Sequence, residues 1–382
     1  MVIHRELERL DTDATIPLVD LGRQHAAVAD DIARGWARAI EGGDFVGGDE
    51  VEAFESELAT TLGVRRCVTV GNGTDALELL LRATNVPRGS EVVLPANAFV
   101  ATAEAVLRAG CRVRLVDCDP HTYLMDLEQV ALAVDDHNVG AVIAVHLYGQ
   151  TVPMERLMSL CARRPIVVLE DGAHAHGARR RSRPVGALGL AAATSFYPAR
   201  NLGAYGDGGA ILTEHDGIAD TIRLLRNHGG TEPDSHEIVG CNSRLDSLQA
   251  VVLRAKLPHL AQWNQDRQFA AHRYDELLST IPRVKIPATL SGNDHVWHLY
   301  VVEVPDRDRV LERLRSAGIL AGVHYPVPIH LQRAFRWLGK RAGTFPAAEA
   351  AAKRMISLPI FPGITPSEQE RVVDTLASAL PG

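Results

Sequence analysis

Seven short β-rich runs, spaced out by helical or turn segments, fill the stretch from residue 67 to residue 214. They read CVTV (67–70), EVVLPA (91–96), RVRLVDC (112–118), AVIAVHLYG (141–149), PIVVLED (165–171), TSFYP (194–198) and GAILTE (209–214). Several are continuously apolar rather than alternating, which is the pattern of strands covered on both faces. Runs with helical spacing, such as ALELLLRAT and AFVATAEAVLRAG, lie between several of them. That order implies an α/β fold with a mostly parallel sheet. Sites in such sheets gather beyond the carboxyl ends of the strands. Residues 71–74, 96–99, 171–176 and 195–200 all fall there.

The flanks are helical. Residues 1–50 read as an arm and a helix (LGRQHAAVADDIARGWARAI), followed by EVEAFESELATTLG, which stops at Gly63. A long helical stretch, LDSLQAVVLRAKLPHLAQWNQDRQFAAHRYDELL, leads to a change of pattern near Ile281. Beyond it HVWHLYVVEV reads as a strand, and DRVLERLRSAGI, AAEAAAKRMISL and PSEQERVVDTLASAL read as helices. The expected division is a large α/β domain with an N-terminal arm over 1–260 and a small α+β domain over 261–382.

A net charge of −7 gives no reason to expect a nucleic-acid partner. The start, MVIHRELERLD, has no apolar signal core, and no segment approaches the ~18 apolar residues of a membrane span. Five cysteines without a CxxC pair read as reduced thiols, so a cytoplasmic location is expected. The basic run ARRRSRP (178–184) reads as a solvated loop. Asp171, His174 and His176 in DGAHAH have spacings that suit a divalent cation, but no third or fourth ligand is evident, and no metal is expected.

Chemistry concentrates on TSFYPARNLGAYGDGGA (194–210). Four glycines (Gly203, Gly206, Gly208, Gly209) permit left-handed backbone angles and close approach of another chain segment. Arg200 and Asn201 lie on the loop between two strands. A second glycine turn, GNGTDALELLL, joins strand to helix, where backbone N–H groups and the helix dipole favour an anion.

These segments resemble the DegT/StrS-type sugar aminotransferases, vitamin-B6 enzymes of the aspartate-aminotransferase fold. The likeness runs from IPLVDL and FVGGDEVEAFE to SLPIFPGIT, and includes S-F-x-P-x-K-N-L-G-x-x-G-D-G-G, whose lysine position is Arg200 here. It implies a seven-stranded PLP-transferase fold. It also implies phosphate binding at Gly73, Thr74 and Ser195, ring stacking by Phe99, and pairing of Asp171 with the pyridinium nitrogen. His174 is placed near the cofactor's phenolic oxygen. GCNSRLDSLQA (240–250) matches a motif whose asparagine, Asn242 here, reaches the partner's cofactor phosphate, implying a homodimer with shared sites. HYPVPIHLQ (324–332) matches a loop that closes near the substrate, making His324, Tyr325 and His330 candidate contacts.

The exchange at residue 200 limits the chemistry. An arginine stays protonated and is a poor nucleophile, so ordinary lysine-dependent transamination is not expected. Lysine occurs only at Lys256, Lys285, Lys340 and Lys353. Three readings remain open. In the first, PLP or PMP binds non-covalently and the protein acts on a keto sugar, cyclitol or related small molecule, with Arg200 in the site and His174, His176 or His228 as base. The others are a cofactor-independent enzyme in which Arg200 binds an anion, and a catalytically silent partner subunit of an active aminotransferase.

Overall fold

The computed structural model describes residues 15–230 and 234–381. The expected signal-free start (residues 1–11) and most of the expected arm lie outside the described residues. The seven runs form one sheet: β1 Arg66–Val70, β2 Glu91–Pro95, β3 Arg112–Val116, β4 Val139–Val145, β5 Val167–Asp171, β6 Ala191–Ser195 and β7 Gly209–Thr213. Their spatial order is β1-β7-β6-β5-β4-β2-β3. Every pair is parallel except those made by β7, which runs against both β1 and β6. Helices cover the sheet, and its apolar residues join theirs in one continuous core that includes Phe54, Leu79, Val93, Ile143 and Ile211.

The sixth strand begins three residues before the run TSFYP, at Ala191, and ends at Ser195. Alanine is a weak strand former, which hides Ala191–Ala193 from a propensity reading. Small side chains suit this position, because the helix Gly73–Ala83 crosses close over the strand end. A Cβ on Gly73 would lie 2.6 Å from that of Ser195.

Elsewhere the boundaries move for identifiable reasons. The first helical run is two helices, Leu21–Ala26 and Ala29–Gly42, separated at Val28, which is buried with Ile32, Val252 and Trp263. The long run after Asp246 breaks into Ser247–Lys256 and Leu260–Leu278 around a 3-10 turn containing Pro258, a residue without an N–H to donate. AAEAAAKRMISL is helical only over Pro346–Arg354. Met355–Leu358 is instead a strand, β9, antiparallel to β8 at Tyr300–Glu303. A second core is built on this pair, with Tyr274, Leu314, Phe361 and Leu376 fully buried in it. Phe335, Phe345 and Met355 nevertheless pack into the first core.

The basic run departs from a solvated loop. Arg179–Arg180 and Arg183–Pro184 form a small hairpin, and the buried Arg180 donates from Nε to Glu155 Oε2 at 2.6 Å.

Candidate active site

A cavity of about 570 Å³ opens beyond the carboxyl ends of β4, β5 and β6. Its size falls within the range of about 300–1,000 Å³ usual for small-molecule sites. One wall is the start of the helix Gly73–Ala83, where Asn72 caps the helix by accepting from Asp75 N at 2.8 Å. Gly73, Thr74 and Ser195 line this end. Free N–H groups of the first helical turn therefore face the cavity beside a hydroxyl, a combination that suits a phosphate.

Asp171 closes β5 and lines the opposite side. Its carboxylate accepts from Thr102 Oγ1 at 2.8 Å and from Ala173 N at 3.2 Å. Phe99 presents a half-exposed ring, 5.1 Å from the ring of Tyr325.

The loop after β6 carries Arg200 into the cavity. Its glycines work by close approach and not by left-handed geometry: none of Gly203, Gly206, Gly208 and Gly209 has a positive φ. A Cβ on Gly203 would lie 2.2 Å from Pro198 O, and one on Gly209 would lie 2.5 Å from Asn72. Arg200 Nη1 donates to His298 Nε2 at 2.8 Å, while Arg200 Nε is buried without a partner. Burial lowers the guanidinium's pKa, and Tyr325, Asp171 and Tyr197 oppose that shift.

His298 was missed by sequence reasoning. HVWHLYVVEV suggested an unbroken strand, but Trp297 is left-handed at φ 45° and only Tyr300–Glu303 pairs. His295–Leu299 instead crosses the site. Residue type gave no signal of the break, since histidines three apart fit a strand by facing opposite sides of it.

The ring protons of this cluster follow from fixed partners. Asn201 Nδ2 donates to Val296 O and to Asn264 Oδ1, both at 2.8 Å, so its Oδ1 must face His298 Nδ1 at 3.1 Å. His298 therefore carries its proton on Nδ1 and accepts from Arg200 on Nε2. His174 is the reverse: Nδ1 accepts from Tyr148 N at 3.2 Å, leaving Nε2–H directed at Tyr325 Oη, 3.4 Å away. Burial, followed by neighbouring charge, holds both rings well below the usual histidine range. Beneath them Arg267, fully buried, donates from Nη1 to Ile360 O at 2.9 Å and to the carbonyls of Trp297 and His298 at 3.3 and 3.4 Å. Burial pushes its pKa down to about 10.

The structure thus brings together Gly73, Thr74, Phe99, Asp171, His174, Ser195, Arg200, His324 and Tyr325 as cavity lining. Four expected site residues lie elsewhere. His176 turns to Thr194 Oγ1, 2.9 Å from its Nε2, and stacks on Phe196 outside the cavity. His330 is buried with its Nε2 3.0 Å from Glu349 Oε1. His228 is exposed in a left-handed turn. Asn242 is exposed, bridges to Asn227 and accepts from Arg244 Nε at 3.1 Å. Among the described residues no lysine lines the cavity. Lys256 lies behind the loop, with Nζ donating to Gly203 O at 2.7 Å, and burial lowers it to about 8. Among the described residues no group of three or more His, Cys, Asp and Glu is placed to hold a metal ion.

Residues 27–377 match the DegT/DnrJ/EryC1/StrS aminotransferase family. The chain belongs to that family. Within it, the chain is 37% identical over 362 residues to the dTDP-3-amino-3,4,6-trideoxy-alpha-D-glucose transaminase of Streptomyces venezuelae, covering 94% of this chain and 95% of the relative. The S. venezuelae DesV structure in complex with a ketimine intermediate superposes with a TM-score of 0.93 at 37% identity, over 95% and 98% of the two chains. A Bacillus subtilis structure, ntda with bound cofactor PMP, gives 0.88 at 29% identity, over 96% and 85%. The aminotransferase fold is therefore established for this family member, as the seven-stranded sheet and its connections had suggested.

Proposed function

We propose that this protein binds PLP or PMP without a covalent link and acts on the keto group of a nucleotide-linked sugar or a related small molecule. One observation carries the reading: the cavity lined by Gly73, Thr74, Ser195, Asp171 and Phe99 holds a guanidinium and, among the described residues, no amine. The cradle fits the group on this chain's own geometry. Gly73 leaves its backbone bare where a Cβ would strike Ser195, the first helical turn offers N–H groups, and Asp171 points a hydrogen-bonded carboxylate at the opposite end. Gly73, Thr74 and Ser195 would hold the phosphate, Asp171 the ring nitrogen, and Phe99 one ring face. Bound there, the cofactor supplies an electron sink for a substrate carbanion.

The chain's own groups do the rest. Arg200 offers a fixed positive charge in the cavity lining, suited to a developing oxyanion. Tyr325 accepts from His174, which leaves its hydroxyl proton free to donate into the cavity. The nucleotide-sugar substrate class is carried over from the transaminase relative. A homodimer is part of the reading, because Asn242 is exposed and outside its own chain's cavity, available to a partner's. All five cysteines are free, which supports a reducing, cytoplasmic location. Among the described residues no helix is long and apolar enough to cross a membrane.

The same guanidinium in the cavity lining favours a second reading, in which Arg200 binds an anionic substrate and no cofactor is used. Calorimetry with PLP and PMP separates the two. Reversible binding, lost on gel filtration and leaving the intact mass unchanged after borohydride, is expected. Absence of binding by either compound at millimolar concentration would replace the first reading with the second.

A further inference from the structure

Four histidines line the cavity: His146, His174, His298 and His324. Three have every ring nitrogen committed. His146 accepts from Val152 N on Nδ1 at 3.2 Å and gives its Nε2 proton to Glu170 Oε2 at 3.0 Å. His174 is held between Tyr148 N and Tyr325 Oη, and His298 between Asn201 and Arg200. In each case a backbone amide, an oriented side-chain amide or a guanidinium dictates the tautomer, so no lone pair is left for a substrate.

His324 differs. Its Nδ1 lies 2.8 Å from Ser357 Oγ, and its Nε2 has no hydrogen-bond partner among the described residues. The residue is partly accessible, and its backbone carbonyl is fixed by Tyr148 Oη at 2.6 Å. A serine hydroxyl rotates and either donates or accepts. Ser357 therefore permits both neutral tautomers and the imidazolium, where the partners of the other three rings permit one state each. We propose that His324 is the proton-transfer base of this cavity and that Ser357 is its positioning residue, a role resting on the cofactor reading above.

The step balances simply. A C–H bond of the bound substrate breaks heterolytically, its proton forms an N–H bond at Nε2, and the electron pair stays with the substrate carbon, where a pyridoxal-class cofactor held by Gly73, Thr74, Ser195 and Asp171 would supply the electron sink. Nδ1–H then points at Ser357 Oγ, and the imidazolium returns the proton to complete the transfer. Burial and the Arg200 charge lower the ring to about 4, so it is neutral at neutral pH and, as a weak base, gives the proton back readily. The same charge stabilises the negative charge left on the substrate.

The test uses the full chain labelled with ¹⁵N-histidine, its resonances assigned by single His→Gln variants. Two-bond ¹H–¹⁵N spectra should show His298 fixed with its proton on Nδ1, His174 fixed with its proton on Nε2, and His324 averaged between both tautomers. A His324 fixed with its proton on Nε2 overturns the proposal without any cofactor present. The second readout is deuterium entry at Cα of L-glutamate with added PLP in D₂O. His324→Gln should slow it about 100-fold with PLP affinity within about threefold, and imidazole should restore part of the rate in His324→Ala. With PLP bound, a silent wild type or undiminished exchange in His324→Gln overturns the proposal while the binding reading stands. Failure of PLP to bind ends the binding reading, and the tautomer spectra still decide on His324.

Discussion

Arg200 Nη1 and His298 Nε2 lie 2.8 Å apart, and the direction of that hydrogen bond is settled from the far side of the ring. Asn201, next to Arg200 in the chain, orients the imidazole that receives the arginine. The loop therefore supplies both the cation and the group that fixes its acceptor. Removing His298 leaves Nη1 as well as Nε without a partner, along with Asn201 Oδ1. His298→Ala should cost about 1.5–3 kcal/mol, the range for hydrogen bonds to charged groups. Urea denaturation checks the magnitude. A cycle with Arg200→Ala should be non-additive; additive losses would show that the contact carries no energy.

Arg200→Lys restores an amine to the cavity. PLP should then attach covalently, with a new absorption band and, after borohydride, a mass increment located at position 200. The shorter head fits without overpacking. Loss of the guanidinium should also diminish whatever anion binding the parent shows, because an ammonium lacks the planar fork. No attachment would mean that the loop directs residue 200 away from the cofactor.

Gly73→Ala should weaken PLP and PMP binding and destabilise the fold by about 1–3 kcal/mol through overpacking against Ser195. Calorimetry and thermal melts separate the two effects. Unchanged affinity would remove the helix start from the phosphate site.

Stability should fall as pH drops below the ordinary histidine range. His176 and His295 are pushed down to about 3 and His324 to about 4, chiefly by burial, while His174 and His298 are held well below 6.5. Each binds its proton in the unfolded chain first, so stability is present above pH 6.5 and is lost on acidification through the folded values. Each fully protonated unfolded histidine contributes roughly 1.4 kcal/mol per pH unit. Denaturation should show the slope growing from pH 7 and approaching that value near pH 5, where His324→Gln should reduce it by about one proton. A flat profile contradicts the buried, neutral rings.

Most of the fold was legible because buried parallel strands announce themselves as apolar runs. The misreadings share a cause. Ala191–Ala193 and Met355–Leu358 are strands by virtue of what packs on them and pairs with them, which local propensity does not record. That Gly73, Asp171 and Ser195 line one cavity was legible from their places at strand ends and from the family resemblance. His298 was not, because it depends on a left-handed Trp297 ninety-odd residues beyond its partner. His176 looked equivalent to His174 two positions away, yet the turn after β5 sends its ring behind Thr194. Which histidine keeps a usable lone pair is a property of hydrogen-bond partners and cannot be read from residue type.

Arg267 ties the carbonyls of Trp297 and His298 to that of Ile360 through one nitrogen. Ile360 in turn donates to the carbonyl of Leu18, which borders the cavity. The helix Leu260–Leu278 that carries Arg267 is thereby bonded to the segment that holds His298. Arg267→Ala, which touches no ligand, should therefore loosen the acceptor of the Arg200 charge.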